Sequence, residues 1–152
     1  MRQTIDALLA NEDDWISAMA TVACELHRGF DYFHWTGFYR HAAERELRVG
    51  PYQGGHGCLR ISFDRGVCGA AARTQTTQLV ADVNAFAGHI ACSTTTQSEI
   101  VVPVVTPAGE LLGVLDVDSD HPAAFRADVD QRHLESLCTM LGQRFAAAAT
   151  AR

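Results

Sequence analysis

Residues 98–118 read Ser-Glu-Ile-Val-Val-Pro-Val-Val-Thr-Pro-Ala-Gly-Glu-Leu-Leu-Gly-Val-Leu-Asp-Val-Asp. Two apolar runs of strand length, 98–106 and 110–118, meet at Thr106-Pro107-Ala108-Gly109, whose Pro and Gly suit a tight turn. In the second run successive residues alternate between faces. Leu112, Val114, Asp116 and Asp118 are therefore predicted to share one face, apolar at its start and doubly acidic at its end. Glu99 opens the neighbouring run at the same kind of boundary. Two carboxylates on one face beside a strand that opens with Glu point to a pocket, and crowding there raises carboxyl pKa values.

Working outward, runs 32–40 and 46–52 read as two more strands, with a hairpin turn at Glu44-Arg45-Glu46. Short pieces at 59–63 and 78–82 are expected to complete the sheet. Gly66-Val-Cys-Gly-Ala-Ala-Ala-Arg73 is small and alanine-rich, which favours a short helix. Both ends are helical. Residues 13–27 carry Trp15, Met19, Val22 and Leu26 at helical spacing, with Asn11 and Asp13 as candidate caps. A second helix is expected from Asp128, with Leu134, Leu137 or Cys138, Leu141 and Phe145 as its stripe. The order helix, strands, short helix, loop, strands, helix predicts an α+β fold. A central antiparallel sheet carries helices on one face, and residues 1–152 form one domain.

The chain has 152 residues, 47% of them apolar and 20% charged, with formal charge −6. That apolar share excludes intrinsic disorder, and the length suffices for a core without disulfides or metal. An acidic balance with no basic run argues against nucleic acid and against an anionic membrane surface. No signal peptide or membrane span is expected. Five cysteines is an odd number for a disulfide scaffold, so a reducing cytoplasmic setting with redox or ligand cysteines is the expectation.

Three cysteines stand outside any apolar helical stripe. Cys68 follows a glycine at a helix start, where amide dipoles favour a thiolate. Cys92 lies in a long non-periodic stretch, 82–97, three residues from His89, which can take its proton. Cys58 follows the flexible Gly54-Gly55-His56-Gly57. Cys24 and Cys138 read as small core side chains. Convergence of His56, Cys58, Cys68, His89 and Cys92 on zinc is disfavoured, because no Cys-x-x-Cys or His-x₃₋₅-His pair exists. Within Trp35-Thr-Gly-Phe-Tyr39, Trp35, Gly37 and Tyr39 share a face. That leaves space between two rings and makes an aromatic wall suited to a methyl group or a cation.

Read in order, Trp35-Thr-Gly-Phe-Tyr39, Gly50-Pro-Tyr-Gln-Gly54, Cys58-Leu-Arg-Ile61, Gly66-Val-Cys68-Gly69, Asp82-Val83, Gly88-His-Ile-Ala-Cys92, Ser98-Glu-Ile-Val-Val-Pro103 and Gly113-Val-Leu-Asp116-Val-Asp118-Ser119 form one ordered set. With cysteine spacings of 10 and 24, this set resembles the GAF-domain free methionine-(R)-sulfoxide reductases, over roughly residues 10 to 145.

The resemblance implies a GAF-like sheet with terminal helices on one face and the ligand pocket on the other. It implies reduction of free methionine sulfoxide without a cofactor, and no metal. Cys92 is implied as nucleophile, Cys58 as its resolving partner, and Cys68 as a second candidate for attack or relay. Trp35, Tyr39, Glu99, Asp116 and Asp118 are implied as the substrate pocket. Similar proteins are homodimers recycled by thioredoxin. One departure is Ser93, where the family usually carries an acidic residue: the resemblance then implies either weaker activity, if that carboxylate orients the loop or tunes the thiol, or a hydroxyl that substitutes as a hydrogen-bond partner. The alternative is a non-catalytic GAF sensor. Such modules sit inside longer signalling chains, and the absence of an output domain after the last helix favours an enzyme.

Overall fold

A computed structural model describes residues 1–89 and 92–150. Ile90 and Ala91, inside the Gly88–Cys92 motif, lie outside the described residues. The elements are α1 (Arg2–Leu8), α2 (Trp15–Gly29), β1 (Trp35–Ala43), β2 (Glu46–Gln53), β3 (Arg60–Ser62), α3 (Gly66–Thr74), β4 (Gln78–Val80), β5 (Ser98–Val105), β6 (Leu111–Ser119) and α4 (Arg132–Arg144). The strands form one antiparallel sheet in the order β3-β2-β1-β6-β5-β4. Its edges are strands of three residues each, too short to recruit a foreign strand.

The period-two pattern sorts each central strand between two cores. Phe38, Ile100, Val102, Leu115 and Val117 face the helices, where they meet Met19, Val22 and Leu26 of α2 and Leu134, Leu137 and Leu141 of α4. Trp35, Tyr39, Val101 and Val114 face the other way, under α3. Gly142 lets α4 lie directly on β5, since a Cβ there would fall 2.0 Å from the Val105 carbonyl oxygen.

Several local expectations are corrected. Residues 32–34 precede the first strand, which begins at Trp35. Asp14 caps α2, its carboxylate accepting from the Ser17 N–H at 2.6 Å, instead of Asn11 or Asp13. Asp128 lies in a π-turn, Ala127–Gln131, and the α-helix proper starts at Arg132. Leu112 does not share the face of Val114, Asp116 and Asp118. The pairing slips between Val104↔Gly113 and Val105↔Leu111, and this bulge sends Leu112 to the helix side and Leu111 to the α3 side. Cys138 is buried as expected, whereas Cys24 is only half-buried.

Among the described residues, no helix is long and apolar enough to cross a membrane.

Candidate active site

Strand register assembles the acidic cluster. Trp35 pairs with Asp118, which pairs on its other side with Glu99; Gly37 pairs with Asp116, which pairs with Val101. These are two adjacent rows across β1, β6 and β5, so Glu99, Asp116 and Asp118 converge on the face away from α2 and α4. Helix α3 lies over that face and brings Cys68 Sγ to 4.0 Å from Glu99 Oε1.

The loop between β2 and β3 carries Cys58, and the loop between β4 and β5 carries Cys92. The two sulfurs are joined in a disulfide that links positions 34 residues apart, with Cα atoms 5.6 Å apart. Both loops are anchored by their surroundings. The Trp35 indole N–H donates to the Gly55 carbonyl at 2.9 Å, and the Tyr39 hydroxyl accepts from the Cys58 N–H. Gly57 allows this approach, because a Cβ would stand 2.7 Å from the Tyr39 oxygen and 2.9 Å from Trp35 Cζ2. The Cys92 loop is pinned at its base by Val83 N–H to Gln97 O and Gln97 N–H to Ser119 O, and at its middle by Gly66 N–H to Gly88 O. Ser93 accepts from the Thr95 N–H at 3.2 Å, a local turn of the kind a short hydroxyl side chain makes.

A cavity opens among these parts. Trp35, Tyr39, Cys68, Cys92, Glu99, Asp116 and Asp118 line it together with His56, His89 and Thr96. Seven of the eight sequence-derived site residues thus share one wall, and the eighth, Cys58, is bonded to Cys92. With the disulfide closed the free space is about 40 Å³, room for roughly three waters. The expected gap between rings is filled: Trp35 lies over Gly37 between Tyr52 and Tyr39, with ring centroids 5.2 and 5.8 Å away.

Burial dominates the electrostatics. Glu99 and Asp116 are 6% and 5% exposed. Desolvation lifts Asp116 to about 7, against hydrogen bonds from Cys68 and Glu99 that hold it down. Glu99 and Asp118 are pushed well above the carboxylate range, by burial first and then by the charge on Asp116. The trio titrates as a unit, and at neutral pH it holds protons. Burial, followed by Asp116 and Glu99, also drives the Cys68 thiol well up. The thiolate expected at that helix start is therefore disfavoured, because nearby carboxyls and the loss of water outweigh the amide dipoles. The Tyr39 phenol likewise stays protonated, from burial and then Asp116. Burial lowers the pKa of His89, whose Nδ1 sits 3.9 Å from Glu99 Oε2. His89 was expected beside Cys92, but nothing local announced this second neighbour; His56, weighed in the sequence only as a zinc ligand, lines the cavity too, and Thr96 carried no signal of its own. Cys68, Glu99 and Asp116 also offer ligand atoms within 4.8 Å of one another.

A family model described as GAF domain matches residues 10–145. A GAF domain-containing protein A from Dictyostelium discoideum is 42% identical, covering 90% of this chain and 85% of that protein. The free methionine-R-sulfoxide reductase of Escherichia coli is 36% identical, covering 93% and 84%. The free methionine-R-sulfoxide reductase of Neisseria meningitidis, solved in complex with its substrate, superposes with a TM-score of 0.91 at 41% identity, over 99% of this chain and 89% of that one.

Proposed function

The chain belongs to the GAF family and, within it, to the free methionine-R-sulfoxide reductases, and from that premise we propose that it reduces free L-methionine (R)-S-oxide to methionine as a single-domain thiol enzyme. The observation that carries this reading is the Cys58–Cys92 disulfide standing at the wall of a cavity whose floor is three buried carboxyls, of which Glu99 and Asp118 are held protonated.

The chemistry needs a proton and a thiol. A sulfoxide sulfur resists attack until its oxygen is protonated or strongly hydrogen-bonded, and Glu99 or Asp118, protonated by its surroundings, supplies that donor. Asp116, the first of the three to ionise, faces the substrate's ammonium group. Trp35 packs on the sulfoxide methyl and biases the choice of sulfur configuration. The Cys92 sulfur, its proton passed to a base such as neutral His89, attacks the substrate sulfur. Oxygen passes to Cys92, methionine leaves, and Cys92 becomes a sulfenic acid. Cys58 condenses with it, forming the disulfide and releasing water, which protects Cys92 from over-oxidation. A dithiol protein of the thioredoxin class then exchanges with the disulfide and restores both thiols. Cys68, a buried neutral thiol, is the second candidate for attack or relay. A cytoplasmic homodimer is the setting this reading supports, free of nucleic acid and membrane.

The test is NADPH consumption coupled through thioredoxin reductase and thioredoxin. Free methionine-(R)-sulfoxide is expected to be turned over, with the (S) isomer and a peptide-bound sulfoxide inert. Saturable binding of the sulfoxide without turnover would replace the enzyme with a sensor.

A further inference from the structure

Cys68 lies deep in the cavity wall as a free thiol, outside the disulfide. Its Sγ and one carboxylate oxygen each from Glu99 and Asp116 lie within 4.8 Å of one another, and all three residues are buried. Asp116 accepts from Cys68 and Glu99, yet its buried Oδ1 has no hydrogen-bond partner among the described residues, and the same holds for Nδ1 of His89. A buried carboxylate oxygen left without a donor is uncommon and calls for an occupant. A thiol, two carboxyls and a neighbouring imidazole form a mixed sulfur, oxygen and nitrogen set. Magnesium and calcium prefer oxygen alone, whereas zinc accepts this mixture. Zinc–ligand bonds of about 2.0–2.3 Å put tetrahedral ligands roughly 3.5 Å apart, so the three atoms must draw closer when an ion binds.

We propose that Cys68, Glu99 and Asp116 form a binding site for a zinc-class divalent cation, with a fourth position open to the cavity beside His89. The three residues come from α3, β5 and β6, so the packed sheet holds the site together without a local motif such as Cys-x-x-Cys. Binding displaces protons from the thiol and carboxyls and moves no electrons. Because Cys58 and Cys92 take no part, the site is present in the oxidised protein. An ion there occupies the place where the sulfoxide oxygen must be received, and so blocks turnover. That last consequence rests on the reductase reading; cation binding does not.

The experiment uses the oxidised full-length protein, in which Cys58 and Cys92 are tied, titrated with Co²⁺. One equivalent is expected to bind with a near-ultraviolet thiolate-to-cobalt charge-transfer band, which Zn²⁺ abolishes by displacement. In Cys68→Ser the band is expected to vanish and affinity to fall by more than about tenfold. A wild-type protein with no such band overturns the proposal. So does a band that survives Cys68→Ser, which would report Cys24 or Cys138. Should Cys68→Ser fail to fold, Asp116→Asn serves: cobalt affinity at least about tenfold weaker supports the site, and unchanged affinity overturns it. A failed sulfoxide assay leaves the cobalt result standing, so the two readings fail separately. If turnover is present, Zn²⁺ is expected to inhibit it, with relief by added sulfoxide.

Discussion

Asp116→Asn removes a charge from the floor of the cavity while keeping the shape of the side chain. A carboxyl lifted from 3.8 to about 7 binds its proton more tightly in the folded chain than in the unfolded one. Its contribution to stability is therefore complete below about pH 4 and declines as pH rises through 7. At 1.36 kcal/mol for each tenfold change in proton affinity, the cost of ionising it in place reaches about 4 kcal/mol above pH 7. Asparagine does not ionise. The variant is expected to match the wild type near pH 4 and to be more stable by up to about 4 kcal/mol at pH 8, while losing about 10²-fold or more in sulfoxide turnover. The assay is urea denaturation of both oxidised proteins in chelator-treated buffer across pH 4 to 8.5, with the difference between the midpoints followed. A difference that stays flat with pH, or that opens only below pH 4, would refute the claim that burial controls this carboxyl.

Cys92→Ser is expected to abolish formation of methionine even in a single turnover, measured by quantifying methionine against enzyme; retained turnover would move the attack to Cys68. Cys58→Ala is expected to release about one equivalent of methionine per chain and then stop in the thioredoxin-coupled assay, with a sulfenic acid trapped by dimedone. Gly142→Ala is expected to destabilise the protein by about 1–3 kcal/mol in denaturant melts, because the new methyl meets the Val105 carbonyl and α4 must lift from β5. Its turnover at low temperature is expected to be unchanged, since that contact lies on the far side of the sheet from the cavity.

The strands were legible because alternation and the two hairpin turns speak locally. The carboxyl pair on β6 followed from the same alternation, and the turn at 106–109 was enough to bring Glu99 beside it. What the sequence could not show depends on partners elsewhere in the chain. The bulge that turns Leu112 away exists only in the pairing of β5 with β6. Asn11 and Asp13 looked like caps of α2 because both are capping residue types, but the cap is Asp14, whose carboxylate is the one that meets the Ser17 N–H. Cys68 looked like a thiolate because a helix start is visible locally, whereas Glu99 and Asp116, which keep it protonated, reach it only through the packing of α3 on the sheet. The stacking of Trp35 over Gly37 likewise required β2 to deliver Tyr52.

Because β1, β5 and β6 present one set of side chains to the helices and the alternate set to the cavity, the sheet works as a partition. Residues such as Phe38 and Val117 secure the scaffold from the helix side, and Asp116 and Asp118, which flank Val117 in β6, line the cavity without contributing to that apolar layer. Substitutions on the two sides can therefore accumulate with little interference. An engineer could harden the helical layer, or recut the ligand chamber for a different small molecule, and treat each as a separate design problem.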